Sequence, residues 1–438
     1  MANLIGARIE RKEDKKFLTG KGKYTADINL PKQTYAYFVR SPHARAKITK
    51  VDHSKAMKAP GVIDVFTGDC VAKDKIGGLI CGWKIVSQDG KDMKCPPHPV
   101  LAKDSVNFVG DHVAVVVAET LEQAKNAAEL VNVGYKIQKA VIKTEEATSF
   151  ENIHEGIDNN LSFDFLLGDK GKTDEAFSKA DKIVKLDIVN NRLIPNAMEP
   201  RAAIGDYNTS SDELTLYTAS QNPHLDRLIM SAFNAVHPEH KFRIVAPDVG
   251  GGFGSKINVY AEDVVVAYAS KKIGRPVKWV AERSESFMSD NHGRDHVTHA
   301  ELAVSNDGKM IGIKVDTIAN LGAYSLVLAA VTPTYLYAPL LLGIYDIPTA
   351  CCTVKGVYTN TAPTDAYRGA GRPEATFVIE RIVTEAAKEI GMDQAEFRKK
   401  NFINKFPHQQ CLVHNIDSGD YHAHLDKAIE IADYKNFE

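Results

Sequence analysis

A charge imbalance is missing from this sequence: 54 basic and 56 acidic residues leave a net charge of −2, mixed along the chain. Without a basic stripe there is no electrostatic footprint for nucleic acid or an anionic membrane, and neither partner is expected. A long apolar run is also missing. Met1 to Gly6 passes directly into the charged stretch Arg8–Lys16 without an apolar core, which argues against a secretory signal. The most apolar stretch, Tyr324 to Ile344, is broken by Pro333 and Pro339 and suits an irregular buried core better than a lipid-facing helix. A cytoplasmic protein is expected. Cysteine is scarce, and Cys70, Cys81, Cys95, Cys351, Cys352 and Cys411 form no C-x-x-C pair or iron–sulfur ligand run. No cluster is expected on this chain. Cys351 and Cys352, adjacent in a β-like run, would face opposite sides of a sheet, as would His296 and His299 three apart, so neither pair suggests a metal site. No zinc or calcium motif, internal repeat or low-complexity tract is present.

The composition, 44% hydrophobic and 25% charged, is that of an ordinary globular protein long enough for two or more domains. From Gly20 to Tyr135 the pattern predicts a compact α+β unit. Strands are expected near Tyr35–Arg40, Val62–Thr67 and Val113–Ala118, and helices near Ser54–Ala59 and Thr120–Leu130, the latter opened by a Thr120/Gln123 capping box. Ile76–Pro99 reads as a long surface loop and residues 141–170 as an extended connector. Beyond it, strands are expected at Lys182–Asn190, Leu214–Thr218, Phe242–Ala246 and Val277–Val280, with helices near Asp226–Ala235 and from Ile257 to Lys272. Asp307-Gly308 predicts a hairpin between His296–Val304 and Met310–Ile318. Pro373 and Gly391 bracket a helix over Glu374–Ile390, and a last helix is expected over Tyr421–Ala432.

Chemistry concentrates in Asp248-Val249-Gly250-Gly251-Gly252-Phe253-Gly254-Ser255-Lys256. Glycines let backbone amides approach a ligand, and a helix opening behind them would present free N–H groups to an anion, so the loop reads as a cradle for a phosphate-bearing cofactor. It is no Walker A loop, since Ser255 precedes Lys256 and Ile257 follows it, and no dinucleotide fingerprint, since the sixth residue from Gly250 is Ser255. A tight strand-to-helix turn without a ligand is the alternative. A second glycine-rich turn, Asp365-Ala366-Tyr367-Arg368-Gly369-Ala370-Gly371-Arg372-Pro373, carries two guanidiniums that could clamp an anion or equally form surface ion pairs. In the third stretch, Ser220-Gln221-Asn222-Pro223-His224, a side-chain amide at a strand end could donate to an oxo group.

In their order and separation, these three segments resemble the molybdenum-cofactor subunit of the xanthine oxidase family of molybdenum hydroxylases. Phe17–Tyr24, Val39–Ala46 and Met198-Glu199-Pro200-Arg201 extend the resemblance over nearly the whole chain. It implies an α+β chain in which an α/β hammerhead domain (1–140) and a connector (141–170) precede the first molybdopterin-binding domain (171–438). The cofactor implied is molybdenum–molybdopterin, as the cytosine dinucleotide, with Gln221, Gly252, Phe253, Gly254 and Arg368 as its contacts in this chain. The activity implied is oxidation of an aldehyde, N-heterocycle or similar small molecule, with water as oxygen source. Electrons would leave through an iron–sulfur small subunit and an FAD-bearing medium subunit.

Departures from the family pattern narrow this reading. Carbon monoxide dehydrogenases place a copper-holding cysteine where Gly369 stands, and the turn here is similar to the form II group, so copper is not expected. Ile257 and Ala370 replace the glutamate and the aromatic of purine-type members, which disfavours xanthine. The general-base glutamate belongs to the family's second half and is assigned to no residue here. The expectation is therefore a C-terminal molybdopterin-binding half on a separate chain, as in nicotinate dehydrogenase, or a truncated product. The competing readings are a catalytically incomplete scaffold that only binds partner subunits, and an independent nucleotide phosphate site.

Overall fold

The computed structural model describes residues 6–436. Its larger sheet has seven strands in the order Phe242–Val245, Glu213–Thr218, Ala202–Asn208, Val277–Val280, Thr34–Arg40, His112–Ala118 and Val62–Thr67. Strands from the N-terminal unit and from beyond residue 200 thus share one sheet, joined by the parallel pair Thr34–Val277. His112–Ala118 is buried at every position, as its run of valines and alanines requires for a strand covered on both faces. The helix Ala261–Ile273 lies across this sheet. It comes so close at Gly205 that a Cβ there would sit 2.7 Å from the Val266 carbonyl oxygen.

A second sheet orders Leu161–Gly168, Ala350–Val357, Met310–Asn320, His296–Val304 and Lys182–Asn190, and the helix Arg372–Glu389 packs on it. The expected hairpin is present, with Gly308 at φ +84° in its turn. His296 is buried and His299 exposed to solvent on the other face, as their spacing predicts. Thr120 and Gln123 form the expected capping box, and Tyr324–Ile344 folds as a largely buried irregular segment. No helix among the described residues is long and apolar enough to cross a membrane.

Four local expectations need correction. The 141–170 segment contains the edge strand Leu161–Gly168, followed at once by a helix, Lys170–Ser178, whose N-cap Asp169 accepts from the Lys172 amide. The glycines that suggested a connector sit at the strand end and in the first helical turn. Ile76–Pro99 is less a surface loop than a lasso, with Ile85 and Met93 anchored in the core. Ser54–Ala59 supplies only the 3₁₀ turn Ala56–Lys58. The helix expected at Asp226–Ala235 begins at Pro223 and ends at Ala232, because proline's fixed φ suits the first helical position.

Buried charge ties the N-terminal strands to the later ones. Arg201 grips Glu262 with two hydrogen bonds, of 2.9 and 3.0 Å, and Asp290 with a third of 2.6 Å. From the end of the strand Thr34–Arg40, Arg40 reaches Glu262 at 2.8 Å and Glu285 at 3.0 Å. Burial pushes the Glu262 carboxyl up, but the charges of Arg201, His112 and Arg40 overcome this and hold it well below the ordinary range. The Arg201 guanidinium also lies 3.7 Å from the centre of the Tyr260 ring. Removing one partner of such a network strands the others. Glu262→Gln is expected to cost about 3–5 kcal/mol, read as a lower urea midpoint at unchanged slope; a loss below about 1 kcal/mol would show that water replaces the carboxylate.

Candidate cofactor site

The glycine loop leaves the strand Phe242–Val245 but does not run straight into a helix. Residues 253–258 make further turns, and the helix starts only at Ala261, where the Asp263 carboxylate accepts from the Tyr260 amide. The expected helix-end anion site is thus closed by the helix's own acidic first turn, Glu262 and Asp263. Lys256 is equally unavailable to a phosphate. Its side chain points inward, 2.9 Å from the Glu199 carbonyl and 2.8 Å from the Glu199 carboxylate. Burial lowers its pKa, and Glu199 partly restores it. The same carboxylate accepts from the Gly250 amide at 2.7 Å, so one buried ion pair fixes both ends of the loop.

The structure brings the three expected segments together. Gln221 turns its side-chain oxygen toward the loop, accepting from the Gly254 amide at 2.9 Å and the Lys256 amide at 3.3 Å. A Cβ on Gly252 would lie 2.3 Å from that oxygen, and one on Gly254 only 2.1 Å from the Ala366 carbonyl oxygen. Gly254, at φ +101°, is therefore where the glycine loop touches the arginine turn. The Arg368 amide donates to the Phe253 carbonyl at 2.9 Å, and its guanidinium stands 5.7 Å from the Phe253 ring centre. Arg372 bends back onto the carbonyls of Gly369 and Ala370 instead of joining Arg368 as a clamp.

Left-handed backbone is concentrated here: Gly251, Phe253, Gly254, Gly369, Ala370 and Gly371 all have positive φ. Non-glycine residues in this region cost on the order of 1–3 kcal/mol each and persist only where their surroundings hold them. Gln221, Phe253 and Arg368 are exposed, so the site is an open face. A cavity of about 750 Å³, lined by Leu79, His98, Leu101, Phe233 and Tyr324, lies elsewhere, at the far end of the helix Pro223–Ala232.

The donors on this face fit a group rich in oxo and phosphate oxygens. The amides of Gly251, Gly252 and Phe253, the Gln221 side-chain nitrogen and the Arg368 guanidinium make no hydrogen bond among the described residues. All are neutral or positive N–H groups, the chemistry an anionic cofactor needs. No group of three His, Cys, Asp or Glu side chains able to hold a metal ion is found among the described residues.

Several supporting residues escaped the sequence reading. Glu199 pairs with a lysine 57 residues further on, a partner that no local pattern identifies. The strand-end turn carrying Gln221 rests on Asp226, which accepts from the Ser220 hydroxyl while that hydroxyl accepts from the Asn222 amide. Burial raises the Asp226 carboxyl to about 8, with Asp263 adding to the effect against the Ser220 hydrogen bond. Beside it is a cavity of about 10 Å³, lined also by Arg201, Lys256 and Asp263, enough for one water.

The chain is similar to known proteins over most of its length. Residues 19–139 match the aldehyde oxidase and xanthine dehydrogenase a/b hammerhead domain, and residues 153–402 match the molybdopterin cofactor-binding domain. The carbon monoxide dehydrogenase large chain of Hydrogenophaga pseudoflava is 36% identical over 97% of this chain, which spans 53% of that relative. The nicotinate dehydrogenase large molybdopterin subunit of Eubacterium barkeri is 30% identical over 87% of this chain, and 85% of that relative is covered. Among solved structures, quinoline 2-oxidoreductase from Pseudomonas putida 86 superposes with a TM-score of 0.92 at 29% identity, over 98% of this chain and 54% of that one.

Because the folded state holds the Asp226 proton more tightly than the unfolded chain does, its contribution to stability is complete at low pH. It declines as the pH rises from about 4 to about 8. Asp226→Asn, which mimics the protonated acid, is expected to gain thermal stability over the unmodified chain progressively across that interval. A melting-temperature difference independent of pH would mean that Asp226 is ionised in the fold.

Proposed function

The chain belongs to the xanthine oxidase family of molybdopterin-binding large subunits, and on that premise we propose that it forms one wall of a molybdenum hydroxylase active site. The observation that carries this reading is the meeting of Gln221, the Gly252–Gly254 loop and Arg368, where the Gln221 side-chain nitrogen, the Gly252 and Phe253 amides and the Arg368 guanidinium make no hydrogen bond among the described residues. Molybdenum–molybdopterin, as the cytosine dinucleotide, would supply the redox chemistry that hydroxylates a small molecule with water as oxygen source. This chain's part is binding and orientation. The Gln221 amide nitrogen and the amides of Gly252 and Phe253 would hold the cofactor's oxygens, Gly254 would let the loop approach closely with its own amide taken up by the Gln221 oxygen, and Arg368 would add a fixed positive charge at the cofactor's edge.

The chain spans about half the length of the carbon monoxide dehydrogenase large chain but most of the nicotinate dehydrogenase large molybdopterin subunit. This supports placing the opposite wall, with the general base, on a separate molybdopterin-binding chain. Iron–sulfur and FAD subunits would complete the electron path. The substrate class we favour is an aldehyde or N-heterocycle, in line with the names of the quinoline and nicotinate relatives. Carbon monoxide is disfavoured by the backbone itself. Gly369 has φ +98°, and a Cβ there would lie 2.5 Å from Pro373 Cγ, so this turn has no room for the copper-holding thiol that the family reading requires.

Co-purification with a matching second-half chain tests the proposal. Molybdenum and pterin are expected in the complex, and their absence would overturn the enzymatic reading. Gln221→Ala and Arg368→Ala should each lower turnover on an aldehyde and N-heterocycle panel by roughly 10²–10³-fold while leaving assembly intact. Unchanged turnover or phenotype in both would favour the scaffold reading.

A further inference from the structure

The turn carrying Arg368 is gripped from behind by a segment that no motif reading singled out, His292-Gly293-Arg294-Asp295. Arg294 and Asp295 are consecutive non-glycine residues in the left-handed region, at φ 64° and 68°. Two such residues in succession cost free energy that their contacts must offset. Asp295 is held by Arg192 at 2.7 Å and by the Thr144 hydroxyl at 2.9 Å. The left-handed bend sends the Arg294 side chain inward, where only 8% of it is exposed.

There, Arg294 Nη1 donates to the Tyr367 carbonyl at 3.0 Å and to Glu374 Oε1 at 2.9 Å, and Nη2 donates to the Arg368 carbonyl at 2.9 Å. The guanidinium also lies 4.8 Å from the Tyr367 ring centre. Around this fork the two backbones run together. The His292 amide donates to the Pro363 carbonyl and the Asp365 amide to the His292 carbonyl, each at 2.9 Å, and a Cβ on Gly293 would sit 2.4 Å from Tyr367 Cβ. Glu374 is fully buried in the first turn of the helix Arg372–Glu389, and its second oxygen has no partner. Among the described residues, Arg294 is the cation paired with it.

Arg368 is therefore pinned on both sides of its Cα: its carbonyl by Arg294, its amide by the Phe253 carbonyl. Only the guanidinium is left to turn outward. We propose that Arg294 is the positioning residue of the cofactor face, setting through two carbonyls the direction of the Arg368 guanidinium and the place of the Phe253 backbone. The inference rests on the cofactor reading given above. A lysine could keep the charge and the Glu374 pair but could not fork across both carbonyls in one plane.

Arg294→Lys and Arg294→Gln, made in the full chain and purified with its partner chains, test this with two readouts. Amide hydrogen exchange in peptides covering residues 250–256 and 364–371 is expected to quicken by roughly tenfold or more, with the strand Lys182–Asn190 unchanged. In the reduced complex, the Mo(V) paramagnetic resonance spectrum is expected to shift while molybdenum is retained, with Arg294→Lys intermediate between wild type and Arg294→Gln. Faster exchange with an unshifted spectrum would reduce Arg294 to a purely structural role and overturn the proposal, as would unchanged exchange in either peptide. If the wild-type complex holds no molybdenum, the cofactor reading fails on its own account. The exchange comparison then still decides whether Arg294 couples the two loops. If Arg294→Gln does not fold, Arg294→Lys decides.

Discussion

The Arg201–Glu262 pair is the constraint from which the rest of the architecture follows. A carboxylate with no solvent exposure at the start of a helix is tolerable only where cations meet it, and here they come from two different strands of one sheet. The helix Ala261–Ile273 is thereby fixed in rotation and in height over the sheet. Fixing its start fixes where the preceding loop must end. This remote electrostatic contact acts together with the Glu199–Lys256 pair and the Gln221 hydrogen bonds, which hold the loop directly. Such pairs add little net stability compared with apolar packing, but they discriminate strongly between registers, since any slip buries an unpaired charge.

The candidate site shows the opposite economy, with strain concentrated and contacts short. Tight approaches at Gly252, Gly254 and Gly293 leave no space for side chains, while Phe253, Ala370, Arg294 and Asp295 accept unfavourable backbone angles. These distortions coincide with a set of N–H groups left without partners among the described residues. Preorganised donors need not reorient when charge arrives, and this gives such a surface its value in binding and catalysis.

Much of this was legible in the sequence. Glycine spacing identified the loop, the Asp-Gly pair its hairpin, and Pro373 and Gly391 their helix, because each of these residue types has a backbone preference that operates locally. The rest was not legible for two reasons. Nothing local says that Lys256 turns inward to Glu199, 57 residues away, whereas the acidic turn Glu262-Asp263 that closes the helix end is local and was hidden only by an expected helix start four residues too early. Pro223, with its fixed φ, is a local signal for the start of its helix. The grip of Arg294 had no signal at all in one sequence: a left-handed arginine looks like any other until its neighbours are placed.

The contact between Gly369 and Pro373 bears on how such sites diversify. A single replacement that puts a thiol or any other side chain at residue 369 would bring its Cβ against the ring four residues later and strain the peptide beneath it. A larger residue at 369 would therefore need a coordinated replacement at 373 or a rebuilt turn. The intermediate steps would carry the defect without the benefit. Similarity in overall sequence can therefore coexist with a barrier in reachable chemistry, set here by one proline ring.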